Sequence, residues 1–345
     1  MSADGEGPAA AAAGAAAPRP AAIGAGIPAA SAVAPASGLV IGLLGPTGVG
    51  KTAVAAAVVA ARGISVISCD SMQVYRGFPV LTNQPTPAEL QGASHELVGF
   101  LDPSSIFSAA EYGAAARPFI VREVSEKGMA LLAGGTGLYL RAAVAPLRVA
   151  PSDPAVRAHL EERAAAEGAG PLHSELARLD QAAAAAVDPR NARRVVRALE
   201  AILVAGEPWS GRNDLWNPNY DRRTVIVGLT LDRSELYPRI DARAGRMIRE
   251  GAIDEVLAFR EEYGLEATEP GGPGIRSAIG YPEICRYLAG EIGREEAAEL
   301  MAAATRRYAR RQITWLRKLR DAVMIDVQDR SPGDIAREIL GLAGC

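Results

Sequence analysis

The chain has 345 residues, 49% of them hydrophobic, with a net charge of −3 and a pI near 5.8. That length accommodates one large α/β domain plus a smaller one, and the weak acidic balance excludes polyanion binding through the bulk field, so any nucleic-acid surface must be local. Three widely separated cysteines, Cys69, Cys285 and Cys345, form no CxxC pair, which argues against a zinc site or a disulfide framework and fits a reducing cytoplasm.

Residues 1–37 are Ala, Gly and Pro, with Asp4, Glu6 and Arg19 the charged exceptions. They lack the basic-then-apolar order of a signal peptide and the Arg/Ser richness of a transit peptide, so a disordered tail is expected. No run of about 18 strongly apolar residues follows, so no membrane span is expected.

An apolar strand, Leu39 to Leu44, leads into Gly45-Pro46-Thr47-Gly48-Val49-Gly50-Lys51-Thr52 and an Ala-rich helix over about 51–62. This is a P-loop in its proper context. Its glycines let backbone N–H groups turn toward phosphates, Lys51 adds a point charge, and Thr52 offers a hydroxyl to Mg²⁺. The loop implies a bound di- or triphosphate without saying whether that is ATP, GTP or another molecule.

A β-branched strand, Ile64 to Cys69, ends at Asp70. The carboxyl ends of parallel strands face the ligand crevice, which puts Asp70 beside the P-loop. It can hold Mg²⁺ or act as a general base there; a turn or N-cap aspartate is a reading of equal weight. A third strand, Met129 to Ala133, runs into Gly134-Gly135-Thr136-Gly137, where a Walker-type NTPase would carry an acid. The glycine pair and the Thr136 hydroxyl suit close approach to a pyrophosphate, and a tight turn with Thr136 as N-cap is compatible with that.

Some 80 residues without strand signal follow, with helices near 154–167, 171–186 and 191–205. An insertion of this length beside a phosphate site reads as a helical lobe acting as lid or clamp. It carries Arg190, Arg193, Arg194 and Arg197. A fourth strand, Thr224 to Thr230, precedes helical pattern over 234–263 with Tyr237, Arg239 and Arg243, where an arginine either reaches the phosphate pocket or forms a surface ion pair. A long helix over about 294–320 bears Arg306, Arg307, Arg310 and Arg311 at one-turn spacing, interleaved with Tyr308 and Trp315. Such a stripe follows a nucleic-acid backbone or is only a solvated face; two basic helices around one phosphate site favour RNA. A fifth strand, Ala322 to Val327, and a short C-terminal helix close the chain. His95, His159 and His173 show no metal spacing and are given no catalytic role.

The expected fold is α/β: a P-loop-type parallel sheet flanked by helices, with an inserted all-helical lobe. The expected division is a tail over 1–37, a core over 38–147 and 223–330, the helical insertion over 148–222 and a C-terminal helix over 331–345.

Together these segments resemble the bacterial-type tRNA dimethylallyltransferase (tRNA isopentenyltransferase) family. The resemblance rests on Gly-Pro-Thr-Gly-Val-Gly-Lys-Thr at 45–52, Asp-Ser-Met-Gln-Val-Tyr-Arg-Gly at 70–77 and Phe-Ser-Ala-Ala-Glu-Tyr at 107–112. It continues with Gly-Gly-Thr-Gly-Leu-Tyr at 134–139, Arg-Ala-Leu-Glu at 197–200, Ala-Ile-Gly-Tyr at 278–281 and Arg-Arg-Gln-Ile-Thr-Trp-Leu-Arg at 310–317. It implies transfer of a dimethylallyl group from dimethylallyl diphosphate to the exocyclic amine of the adenosine 3′-adjacent to the tRNA anticodon, with Mg²⁺ as cofactor and Thr52 as its ligand. The target base must leave its stack. Asp70 would be the base, Thr136 would contact the bridging oxygen, and Lys51, the P-loop and Arg239 would hold the diphosphate. Asp70, Ser71, Met72, Gln73, Arg193, Arg194, Arg197, Arg306, Arg310 and Arg311 would meet the anticodon stem-loop. A cytoplasmic monomer is implied. Asn83-Gln84, Gly99 and Pro282 depart from the Ala-Lys, Asp and basic residues frequent in the family. The rivals are an adenylate isopentenyltransferase acting on free nucleotide, a small-molecule P-loop kinase, and an RNA-binding module with a structural P-loop.

Overall fold

The computed structural model describes residues 38–89, 92–145, 150–208, 210, 219–265 and 273–345. The expected tail over 1–37 lies outside the described residues.

Six parallel strands form one sheet in the order β3-β2-β4-β1-β5-β6. They are β1 (Leu39–Leu44), β2 (Val66–Ser68), β3 (His95–Glu96), β4 (Met129–Gly134), β5 (Arg223–Thr230) and β6 (Ala322–Asp326). β1 is buried at every position, so both faces of the centre of the sheet are covered and its strands read as continuous apolar runs. Alternation decides the layer each side chain enters. Ile41, Leu43, Leu131 and Val227 pack under α1 (Lys51–Arg62), while Val40, Leu44, Leu132 and Ile226 pack under α2 (Ala109–Lys127) and α3 (Gly137–Val144).

The sheet order places the site. β4 lies between β1 and β2, paired in parallel register with both. The P-loop after β1, Asp70 after β2 and the Gly-rich turn after β4 therefore emerge side by side at one edge of the layer.

α2 begins with a capping box, Ser108 and Glu111 each bonding the other's backbone N–H. Its Tyr112 hydroxyl donates to Ser68 O at 2.7 Å, two residues before Asp70. The segment 107–112, met above as a family motif, thus starts a helix and props the end of β2.

Between β4 and β5, α4 (Pro154–Glu167), α5 (Ala169–Leu179), α6 (Gln181–Ala186) and α7 (Ala192–Ala205) enclose a hydrophobic cluster of their own around Leu160, Leu172, Leu176 and Leu199. Within it Glu200 is buried and takes ion pairs from Arg157 and Arg197. The helix expected over 171–186 is two helices, because the Asp180 carboxylate leaves the helical path to cap α6 on Ala183 N–H at 2.9 Å. The stretch 234–263 divides at Gly251 (φ 118°) into α8 (Arg233–Arg249) and α9 (Ala252–Tyr263). α10 (Tyr281–Leu288), α11 (Arg294–Leu316) and α12 (Pro332–Leu342) complete the fold. α11 stops at Leu316, one turn before the expected end, and β3 is a strand of two residues that no periodicity announces.

Three glycines of the 134–137 turn are required by close packing. A Cβ on Gly134 would lie 2.0 Å from Cys69 O, one on Gly135 2.1 Å from Gln312 Nε2, and one on Gly137 1.8 Å from the Trp315 ring. The protein's own groups, rather than a ligand, occupy the space these glycines leave. Gly137→Ala is expected to cost about 1–3 kcal/mol, since an indole must be displaced from a packed position. Chemical denaturation checks it; unchanged stability would mean that Trp315 has room to move.

Candidate active site

A cavity of 840 Å³ opens at the carboxyl ends of β1, β2 and β4. Thr47, Gly48, Gly50, Lys51 and Thr52 line one wall, Asp70 to Gln73 another, and Arg239, Arg243, Tyr308 and Arg311 face them from α8 and α11.

The P-loop owes its shape to Gly48 (φ 88°) and Gly50 (φ 102°), both in conformations that favour glycine. Gly50 is the N-cap of α1 and makes no side-chain cap, leaving the first N–H groups of the helix aimed at the cavity. Lys51 Nζ donates to Gly45 O at 3.0 Å and Pro46 O at 2.9 Å. Burial lowers the Lys51 pKa to about 8; the Asp70 carboxylate opposes that shift and the Arg243 guanidinium adds to it. Val49 is 2% exposed and belongs to the core beneath the loop. Gly45 and Pro46 are buried and present carbonyls to Lys51.

Asp70 Oδ1 accepts the Met72 N–H at 2.9 Å, which fixes the carboxylate at the mouth of the β2 turn. Thr136 stands at the N-cap position of α3 but makes no cap bond. Its Oγ1 instead accepts the Ser71 N–H at 3.1 Å and donates to Ser71 Oγ at 3.3 Å, so the hydroxyl is held against the Asp70 turn. Gln73 is braced by Ser68 Oγ, which donates to its Oε1 at 3.1 Å, and by its own bond to Asn83 O at 2.7 Å. Gln84, which replaces a frequent lysine of the resembling family, donates to Gln73 O and Tyr75 O and so serves this turn.

Of the arginines expected to touch ligands, Arg239 and Arg311 line the cavity. Arg306 pairs with Asp241, and Arg310 is exposed outside the cavity wall. Arg193 and Arg194 are exposed on α7, and Arg197 is engaged by Glu200. Tyr308 and Trp315 do not interleave with an outward basic stripe: Tyr308 lines the cavity and Trp315 lies against Gly137.

Three further side chains face the site or brace it. Arg243 bonds Thr47 Oγ1, which puts a buried guanidinium directly on the P-loop; burial lowers its pKa and Asp70 opposes that. Its signal was the one-turn spacing from Arg239, which marks one helix face without choosing between the two. Tyr308 is a phenol among Asp70, Thr136 and Gln312, its pKa raised by burial and then by Asp70. Gln312 carries no charge to draw notice, yet it bonds both site loops. His95 also lines the cavity; burial takes its pKa down to about 4, so the ring is neutral, and neither nitrogen has a partner among the described residues.

A family model described as IPP transferase matches residues 73–319. The chain belongs to the IPP transferase family. It is 40% identical over 291 residues to a tRNA dimethylallyltransferase of Thermomicrobium roseum, covering 84% of this chain and 86% of that one. A tRNA dimethylallyltransferase of Symbiobacterium thermophilum is 39% identical over 308 residues, covering 86% of this chain and 93% of the relative. Among solved structures, the full-length tRNA isopentenylpyrophosphate transferase of Bacillus halodurans superimposes with a TM-score of 0.62 at 36% identity, over 88% of this chain and 96% of that one. The family match begins at residue 73, past the P-loop and Asp70, so the geometry of those two segments is evidence separate from that match.

Proposed function

We propose that this chain transfers the dimethylallyl group of dimethylallyl diphosphate to the exocyclic amine of the adenosine 3′-adjacent to a tRNA anticodon, releasing diphosphate. One observation carries the reading: a phosphate cradle with Lys51 and Arg243 shares one cavity with Asp70, the carboxylate that follows β2, and the strand between the P-loop and Asp70 ends without an acid. A phosphate-hydrolysing enzyme must position water; an alkyl transfer needs only an anion holder and a base for the nucleophile.

In this scheme the amine nitrogen attacks the allylic carbon. The C–N bond forms as the C–O bond breaks, and the bonding pair leaves on diphosphate. The amine proton passes to Asp70, whose carboxylate is aimed by Met72 N–H. Lys51, the free N–H groups of the P-loop, Arg243 and Arg239 take up the charge that develops on the leaving group. Thr136, held against the Asp70 turn by the Ser71 N–H, would contact the bridging oxygen.

Mg²⁺ fits this donor set as a ligand-borne ion. Thr52 offers a hydroxyl in the cavity that the diphosphate would fill, and no cluster of three His, Cys, Asp or Glu exists among the described residues. Mg²⁺ commonly binds through one or two protein oxygens plus substrate phosphates. When bound it neutralises part of the diphosphate charge.

The exposed Arg193, Arg194 and Arg310, with Arg311 at the cavity, are the proposed anticodon-arm contacts; Arg197 and Arg306 would act there through their ion-paired positions. No helix of the described residues is long and apolar enough to cross a membrane. A cytoplasmic monomer is the proposed state, since its RNA substrate resides there.

The test uses labelled dimethylallyl diphosphate, Mg²⁺ and unmodified tRNA, with AMP and ATP each offered in parallel reactions. Labelled tRNA is expected; label in free AMP without label in tRNA would replace this reading by the adenylate one, and phosphoryl transfer from ATP would replace it by the kinase. Raising salt from 50 to 200 mM is expected to weaken tRNA binding far more than diphosphate binding, because phosphate-backbone contacts release counterions. Equal sensitivity would sink the arginine surface.

A further inference from the structure

α11 turns an unusual face to the site. Tyr308, Gln312 and Trp315 follow one another at one-turn spacing on its inner side. Tyr308 meets the cavity, Trp315 meets Gly137, and Gln312 lies between them, 8% exposed. Besides its side-chain bond with Tyr308, the Gln312 amide makes two long-range bonds. Its Oε1 accepts the Thr47 N–H at 2.8 Å, and its Nε2 donates to Gly135 O at 3.1 Å. The first partner is in the P-loop after β1, the second in the Gly-rich turn after β4. No strand ladder reaches this far, since the β1–β4 pairing ends at Leu44 and Gly134.

We propose that Gln312 is a positioning residue that sets the spacing of the diphosphate-binding loop from the Thr136 turn by bonding both. The proposal rests on the reading that the P-loop holds a diphosphate.

The geometry shows why an amide is needed. Thr47 offers a donor and Gly135 an acceptor, and a carboxamide supplies both complements at the tip of one side chain. Thr47 is held from its other side by Arg243, which bonds its Oγ1. Backbone and side chain of this one P-loop residue are therefore gripped from α11 and α8. Gly135 has no room for a Cβ because Gln312 Nε2 would stand 2.1 Å from it, so the glycine and the glutamine form a matched pair. A loop so fixed keeps its remaining N–H groups in place before any anion arrives, which is what an electrostatically preorganised site requires.

Gln312→Met keeps the length and volume of the side chain and removes both bonds. It is expected to weaken binding of inorganic diphosphate about tenfold by calorimetry and to lower kcat for dimethylallyl transfer at least tenfold. The KM for tRNA and the cooperative unfolding transition should remain near wild type. Thr47 N–H reports directly: its amide proton should exchange faster in the variant. Gly135→Ala alone should reproduce the loss by pushing the amide aside. Added to Gln312→Ala, which vacates the space, it should cost little more, so the two effects should be strongly non-additive. Wild-type diphosphate affinity and turnover in Gln312→Met, or simple additivity of the pair, would overturn the proposal. A failure of the reaction assigned above is separable, because diphosphate affinity and Thr47 exchange are read without any prenyl transfer.

Discussion

Asp70→Asn is expected to reduce turnover by about 10²–10⁴-fold, the range for loss of a general base. The replacement is nearly isosteric, and its Oδ1 can still accept the Met72 N–H that Asp70 holds at 2.9 Å, so the β2 turn should survive. What disappears is the proton acceptor for the attacking amine. The same change removes the carboxylate that favours the charged form of Lys51, so some loss of diphosphate affinity at high pH should accompany it. Below neutral pH the diphosphate should bind at least as well as to wild type, since an anion near the ligand has gone. Single-turnover transfer to tRNA, measured beside diphosphate binding, separates the two effects. Full activity in the variant would remove Asp70 from the chemistry and return it to the reading of a turn aspartate.

Much of the sheet was legible because its central strands, β1, β2 and β4, are buried almost throughout, while the edge strand β6 keeps an apolar run although Val323 and Met324 are exposed. A short apolar run bounded by turn residues has few other places to go, and five of the six strands follow that rule. β3 does not: His95 and Glu96 are polar and pair over only two residues, so it exists by tertiary contact with β2. The helix breaks at Asp180 and Gly251 were hidden for a similar reason. Helical periodicity runs on across both, and only the capping bond or the positive φ marks the end.

The site separates by chemistry. Charge and glycine patterns exposed the P-loop and the carboxylate after β2, because both follow from where parallel strands end. The tight motifs around them told less about ligands than they seemed to. Ser108 and Glu111 cap a helix, Gly134, Gly135 and Gly137 make room for Cys69, Gln312 and Trp315, and Arg197 answers a buried Glu200. A residue pattern records every constraint at once, packing included, and geometry divides them. Gln312 is the clearest case. It is neutral, lies inside an arginine-rich run, and its partners are 265 and 177 residues away.

Lys51→Met should have the second large effect, a fall in turnover of about 10²–10³-fold, comparable with loss of one preorganised donor to a developing anion. Lys51 Nζ is engaged by the carbonyls of Gly45 and Pro46, which keeps the ammonium at the turn where a phosphate would take their place. Burial has brought its pKa down to about 8, so near that pH the amine is a mixture of charged and neutral forms before an anion binds. A bound anion favours the charged form, so binding must raise this pKa and take up a proton. Affinity for diphosphate should therefore be steady below pH 8 and fall by up to tenfold per pH unit above it. The ligand's own titration is common to both proteins, and the difference between wild type and Lys51→Met isolates the lysine. That difference should hold below pH 8 and shrink steadily from pH 8 to pH 10, as the wild-type site loses the charge that the variant never had. A constant difference across that range would mean that Lys51 stays charged before the anion binds, and that the pH response of the site lies with a group other than Lys51.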